Sequence, residues 1–240
     1  MLKKQKIVLL VIITISSSSI VSCNYIKERR LVSQLESISG CIGDEDIKNI
    51  WKNPKANMHI RNIVKNTSYA NKARFFAAEI LFKKDKNYPP DKMKGIIAYI
   101  FAKALIEKYA CSYNTWGYPY ATRRKGLHFI RLGTEALPAL MSLLDNNKRM
   151  IFDGSSDAYH SSLYRFRIKD MAAVFICHIC HIEFKVYRNV SKREKQIERI
   201  KKYFVKGKCK PRKYSELNVE PDTHSILPND TPDEYLYNNK

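Results

Sequence analysis

Beyond its first fifteen residues the chain has no long apolar run, which excludes a membrane-crossing helix in the body, since one needs about 20 mainly apolar residues. Strand-type alternation of apolar and polar residues is also missing, so a sheet is not expected. Acids are few, 23 against 43 Lys and Arg in 240 residues, which leaves a net charge of +20. Six cysteines are too few for a disulfide scaffold in a chain of 240 residues. No nucleophile elbow, phosphate loop or paired-carboxylate motif is present, so nothing frames a catalytic site and no enzymatic activity is expected.

What is present starts with Lys3, Lys4 and Lys6, then an apolar run from Ile7 to Ile15 broken only by Thr14, then Ser16 to Ser19. That run is too short to span a bilayer, and residues 1–22 read as a cleaved signal peptide. The following Ile20-Val21-Ser22-Cys23 resembles the lipobox of bacterial lipoproteins. The resemblance implies a diacylglyceryl group on the Cys23 sulfur and an acyl chain such as palmitate on its freed amine. It also implies a membrane-anchored place on the exported side of the bacterial cell envelope. Two or more acyl chains, at about 0.8 kcal/mol per buried methylene, hold a protein stably where one does not. Cleavage before Cys23 leaves 218 residues carrying +17, enough for a domain with a real core. It also leaves Cys41, Cys111, Cys177, Cys180 and Cys209, an odd set that cannot all pair within one chain.

The positive charge is concentrated. From Lys185 to Lys213 there are thirteen Lys or Arg against Glu194 and Glu198. A basic balance ordinarily points to nucleic acid, but export argues against that partner. Anionic headgroups beside the anchor attract a basic helix by on the order of 1 kcal/mol per charge. This makes Lys201, Lys202, Lys206 and Lys208, in or beside a helix over 191–206, candidate membrane contacts. The plain alternative is a solvated face.

The helical periodicity is clear. Met93, Ile96, Ile97, Ile100, Phe101, Ala104 and Leu105 form one face of a helix over 91–109, opened by Pro89-Pro90-Asp91. Upstream, Thr67 or Ser68 can cap a helix running to Lys84, and shorter helices fit 44–52 and 58–65. Downstream, helices are expected over 123–132, after a Thr134 cap, and over 161–181, the last most buried from Met171 onward. A final helix is expected to open with a Ser191–Glu194 capping box, carry Ile197, Ile200 and Phe204, and stop at Gly207. The expected organisation is a signal peptide (1–22), an anchored linker (23–43), a helical domain (44–207) and a flexible tail (208–240).

Three segments resemble HEAT repeats. Leu132-Gly133-Thr134-Glu135-Ala136-Leu137-Pro138-Ala139-Leu140-Met141-Ser142-Leu143-Leu144 resembles a first helix with its proline, and Arg167-Ile168-Lys169-Asp170-Met171-Ala172-Ala173 resembles a second helix. Ala73-Arg74-Phe75-Phe76-Ala77-Ala78-Glu79-Ile80-Leu81 repeats the second pattern. The expected fold is therefore all-α, an irregular HEAT-like α-solenoid or a helical bundle. The resemblance implies a surface that binds another protein, and no chemistry.

Cys177-His178-Ile179-Cys180-His181 has the spacing of a c-type haem attachment, in which both thiols form thioethers and His181 ligates the iron. An electron carrier with covalent haem is the function of a different class that this pattern would give. Zinc on Cys177 and His181 with His178 and Cys180, a Cys177–Cys180 redox pair, and ordinary core packing are the other readings. Trp116, Tyr118 and Tyr120 form an aromatic cluster suited to a partner or to docking their own loop, and Tyr164 and Phe166 admit the same two uses. Asp153, Ser155, Asp157 and His160 gather polar groups that turn formation and capping explain.

Overall fold

Acidic residues or proline open α-helices at Asp44, Asp91, Leu137 and Ile168, and three described helices close on a left-handed residue that is not glycine, at Lys108, Arg165 and His181. The computed structural model describes residues 25–108, 113–117 and 124–205, apart from the side chains of residues 124, 155–157, 160 and 205. The signal peptide, Cys23 and the tail from residue 208 lie outside the described residues. Among those described the fold is all-α, with one isolated bridge, Arg149 to Arg167, and no strand. The chain divides into two compact units, the first ending at Asp85 and the second starting at Lys86.

The first unit holds α1 (25–37), α2 (Asp44–Trp51), α3 (Ala56–Lys65) and α4 (Asn71–Lys84). Within the segment 23–43, residues 25–37 form α1, which buries Val32 and Leu35 three residues apart. At the start of α2 the Asp46 carboxylate accepts from the Gly43 N–H at 3.1 Å, beside the acids Asp44 and Glu45 that suit a helix N-terminus. α4 begins later than Thr67 or Ser68, because the Asn66 side chain accepts from the Ser68 N–H at 3.0 Å and holds that segment in a turn. α3 packs closely on α4, and the Arg74 Nε donates to the Val64 carbonyl at 3.1 Å, satisfying an otherwise open helix end. Glu28 turns inward from α1: it accepts from the Tyr69 hydroxyl at 3.0 Å and from Asn62 at 3.3 Å, and lies 3.6 Å from the buried His59.

The second unit is built on α5 (Asp91–Glu107), α6 (Arg124–Arg131), α7 (Leu137–Met141), α8 (Ser155–Tyr164), α9 (Ile168–Cys180) and α10 (Val190–Val205), with 3-10 turns at Tyr113–Trp116 and Gly133–Ala136. Pro90 leads into α5 in an extended conformation, and Lys108 ends it at φ 55°. Thr134 does not cap a helix; its segment forms the second 3-10 turn, and Pro138 sits in the first turn of the short α7. α9 is central, with α6, α7 and α10 against it. Phe101, Trp116, Phe129 and Phe175 run through this core, with ring centroids 5.9 Å apart for Phe101–Trp116 and 5.5 Å for Phe129–Phe175. Gly126 makes that approach possible: a Cβ there would stand 2.3 Å from the Trp116 carbonyl oxygen and 3.0 Å from the Phe175 ring.

The single helix expected over 161–181 is two helices. Arg165 adopts φ 50° and ends α8, and Phe166 and Arg167 then run extended into α9. The break is held by local bonds. The Met150 N–H donates to the Phe166 carbonyl at 2.7 Å, and the Arg167 N–H donates to the Asp170 carboxylate at 2.9 Å. The start of α10 also differs from expectation: Asn189 caps it by accepting from the Lys192 N–H at 3.1 Å, which leaves Glu194 available for other partners.

Those partners form a buried ionic cluster. Arg193 is fully buried on the face of α10 that carries Ile197 and Ile200. Its Nε donates to Asp170 at 3.2 Å, its terminal nitrogens donate to the Tyr164 carbonyl at 2.6 Å and to the Tyr187 and Arg188 carbonyls, and its guanidinium lies 5.5 Å from the Phe166 ring centre. Asp170 also binds Arg167, whose other arm reaches Glu194, and Lys169 pairs with Glu194 at 2.8 Å.

Two stability measurements test this account. Asp170→Asn, which leaves the Arg193 charge buried and under-compensated, is expected to lower the unfolding free energy in urea by about 3–5 kcal/mol. Arg193→Lys is expected to fail as a rescue of Arg193→Ala, because one ammonium cannot replace the fork. For the glycine, Gly126→Ala is expected to cost about 1–3 kcal/mol through overpacking. Gly95→Ala, in α5 with nothing within 4 Å of its added methyl, is expected to gain up to about 1 kcal/mol; a loss at position 95 or no loss at position 126 would contradict the packing described.

Candidate functional site

The last turn of α9 carries the sequence pattern richest in chemistry, and it borders an open groove. Cys177 is followed by His178, Ile179 and Cys180, and His181 then adopts φ 52°. That left-handed residue turns the chain back, with the His181 and Ile182 N–H groups both donating to the Cys177 carbonyl, the latter at 3.0 Å. Val174, Cys177, His178, His181, Ile182, Glu183 and Phe184 line a groove of about 320 Å³. Val174, Cys177 and His178 line it from α9, and the other four residues from the segment that follows the helix.

The two cysteines of the pattern differ chemically. Cys180 is disulfide-bonded, as is Cys41 in the first unit. Cys177 is a free cysteine, 3% exposed, and burial pushes its thiol up to about 12. His178 and His181 point to solvent, but protein packed around the base of His178, together with the charge of His181, holds its imidazole below the ordinary histidine range.

A covalent haem does not fit these residues. Attachment requires two free thiols, and the Cys180 sulfur is already engaged while the Cys177 sulfur is enclosed in core. The zinc reading meets the same obstacle, and among the described residues no three His, Cys, Asp or Glu side chains are grouped to hold a metal. A redox exchange between Cys177 and Cys180 would need a thiolate at Cys177, which burial opposes. Core packing accounts for Cys177.

The basic helix is rearranged relative to its sequence reading. Lys201 is not a free cation: it pairs with Asp145 at 2.6 Å and Glu198 at 2.8 Å. Lys202 is exposed, and Lys206 and Lys208 lie outside the described residues. Lys192, Lys195, Arg199 and Lys202 instead share one exposed face. At about 100° per residue they span an arc of about 80°, opposite the arc of Arg193, Ile197, Ile200 and Phe204. Lys192 lies over the Tyr187 ring at 5.0 Å, and no described acid pairs with Lys195, Arg199 or Lys202. The three-four-three spacing of these cations is visible in the sequence, but it was obscured by the denser run of charge that follows it.

The aromatic candidates divide. Trp116 is 1% exposed and packs on Phe101 and Phe129, so it serves the core and not a partner; Tyr118 and Tyr120 lie outside the described residues. Tyr164 and Phe166 stack at 5.1 Å and are buried beneath Arg193. Asp153 is fixed through its backbone, exchanging two hydrogen bonds with the Asn114 side chain at 2.8 and 2.9 Å, which is a turn-holding role; the side chains of Ser155, Asp157 and His160 are not among those described. On α5, Ile96 was expected on the buried face but is 40% exposed, and Tyr99, one turn on, is 55% exposed.

No protein-family model, curated protein sequence or solved structure matches the chain.

The state of Cys177 gives a chemical test. Iodoacetamide at neutral pH is expected to leave it unmodified in the folded protein and to alkylate it promptly in urea, as read by mass spectrometry after proteolysis. Because its folded pKa is raised, the folded state binds the proton more tightly. Its contribution to stability is therefore complete below the unfolded pKa of about 9 and declines as pH rises toward about 12. Cys177→Ala is expected to flatten that alkaline decline; rapid labelling of the native protein would show that the thiol is not enclosed.

Proposed function

We propose that this chain is a lipid-anchored protein of the bacterial cell envelope whose HEAT-like helical body binds another protein. The observation that carries the reading is the opening turn of α1, two residues after Cys23. Tyr25 and Ile26 are each 52% exposed there, beside exposed Lys27, Arg29 and Arg30, while the one acid of the turn, Glu28, is drawn inward to Tyr69 and Asn62. The outward surface is thus apolar, aromatic and purely basic, the composition that suits the boundary between headgroups and water. Arg29 lies over the Tyr25 ring at 5.2 Å and bonds its hydroxyl at 2.8 Å, joining the aromatic and basic parts.

Other features support the same reading. Disulfide-bonded Cys41 and Cys180 suit an exported protein. The two segments that resemble HEAT helices, around α7 and at the start of α9, pack on each other as paired helices of one unit would. Ile96 and Tyr99 give α5 an exposed apolar strip between exposed Lys92 and Lys103, which suits a protein partner with an apolar ridge and acidic rim.

The test is expression of the full chain with and without Cys23→Ala in a bacterial host supplied with a clickable palmitate analogue. The unaltered protein is expected to take up label and to sediment with membranes after a carbonate wash, and the variant to lose the label. Label retained by the variant, or an unlabelled wild-type protein with free Cys23, would refute the anchor.

A further inference from the structure

We propose that Cys177 is a resolving thiol for the disulfide of Cys180, held out of reaction by the closed last turn of α9 and released when that turn opens. This is a switch in a covalent bond of the chain, and it stands independently of the anchor.

The two sulfurs belong to one helix turn. Cys180 is disulfide-bonded and Cys177 is a free thiol, and they are 4% and 3% exposed. Residues three apart in an α-helix have Cα atoms about 5 Å apart, inside the range of about 4.4–6.8 Å that a disulfide spans. Their Cβ atoms, about 5–6 Å apart, stand farther off than the roughly 3.5–4.5 Å that a disulfide needs. A Cys177–Cys180 bond therefore requires the turn to loosen, but not to be rebuilt.

This turn has little to hold it closed. The His181 and Ile182 N–H groups both donate to one acceptor, the Cys177 carbonyl, so the end of the helix closes on a single peptide unit. His181 also holds φ 52°, a conformation that is costly for a residue with a side chain. The groove of about 320 Å³ borders the turn and is lined in part by Cys177, His178 and His181, so water stands beside the thiol once the turn parts. While it is closed, burial pushes the Cys177 thiol up to about 12 and keeps it inert. Opening returns the thiol to its ordinary range and raises its thiolate fraction by on the order of a thousandfold.

In the step itself the Cys177 thiol gives its proton to water, and the thiolate attacks the Cys180 sulfur. The Cys177–Cys180 bond forms, the bond from Cys180 to its present partner breaks, and the electron pair leaves on the partner sulfur, which takes up a proton. One thiol and one disulfide are present before and after, so no oxidant or reductant is consumed. The product has a bridge across the end of α9 and a free thiol on the former partner.

The tryptic peptide of residues 170–185 contains both cysteines, so the step can be read directly. The full chain carrying Cys23→Ala, in which position 23 adds no thiol, is held at pH 8 with dilute iodoacetamide in buffer and in increasing urea. Peptides are then mapped by mass spectrometry without reduction. Peptide 170–185 is expected to begin bridged to a second peptide and to appear with time alone, with an internal bridge, while the former partner gains the alkyl label. In buffer the conversion is expected to run on the order of a hundredfold more slowly than in denaturing urea, the mark of a local opening. Its rate is expected to change little at low urea, because such an opening exposes little surface. Conversion through global unfolding would instead be slower by about four orders of magnitude and steep in urea. Cys177→Ala and Cys177→Ser are each expected to keep the original bridge, and the chain with Cys177 intact decides the matter even if either variant misfolds.

Alkylation of Cys177 with the Cys180 bridge intact, conversion seen only through global unfolding, or a bridge from Cys177 to any cysteine other than Cys180 would each overturn the proposal. Position 23 carries no sulfur in this experiment, so its outcome and that of the palmitate labelling are separate.

Discussion

The second unit depends on the pairing of Arg193 with Asp170. A buried guanidinium is costly to desolvate, and it is tolerated only where its donors and its charge are met. Here the partners come from separate pieces of chain: the first turn of α9, the end of α8 and the loop that leads into α10. None of these would be placed by apolar packing alone. The end of α8 is a left-handed turn and the loop before α10 is irregular, so their carbonyls have no helix or sheet to satisfy them. Arg193 supplies the donors those carbonyls need, and Asp170 supplies the charge that lets Arg193 remain there. The same carboxylate also closes the N-terminal end of α9 on Arg167, so the break between α8 and α9 and the seating of α10 are one arrangement.

Much of the helical pattern was legible in the sequence. α5 follows its period of apolar residues, α2 its acidic start, and the buried half of α9 its lack of polar faces. The break at Arg165 was not legible, because a left-handed arginine leaves no compositional mark and its neighbours Tyr164 and Phe166 continue an apparent helical pattern. The burial of Arg193 was available in principle: it shares a four-three-four register with Ile197, Ile200 and Phe204. A charged residue on an apolar stripe is ordinarily read as a gap in the stripe, and here it is the centre of the packing. The cap at Asn189 was missed for a related reason, since the Ser191 and Glu194 pair matches a capping box in spacing while Glu194 is held by Arg167 and Lys169.

The candidate sites were less legible than the fold. A spacing such as Cys177-His178-Ile179-Cys180-His181 states what two sulfurs and an imidazole could reach, but not whether either sulfur is free. The disulfide at Cys180 and the enclosure of Cys177 are long-range outcomes, set by which residues fold over the end of α9. The charge of α10 shows the converse. Its sign and quantity are plain in the sequence, whereas the faces on which its members fall depend on where the helix begins and which cations find acids. Lys201 is neutralised by Asp145, which is 56 residues away in the chain.

The inward turn of Glu28 bears on how freely the body could move about its anchor. α1 cannot peel from the first unit without stripping the Tyr69 hydroxyl and the Asn62 amide of their shared acceptor, so the helix behaves as part of the folded mass and not as a stalk. In the envelope reading proposed above, Cys23 and Asn24 would be the whole tether, and two residues extend at most about 7 Å. Such a tether would hold the first turn of α1 against the headgroups, with its orientation set by the folded unit and not by a spacer.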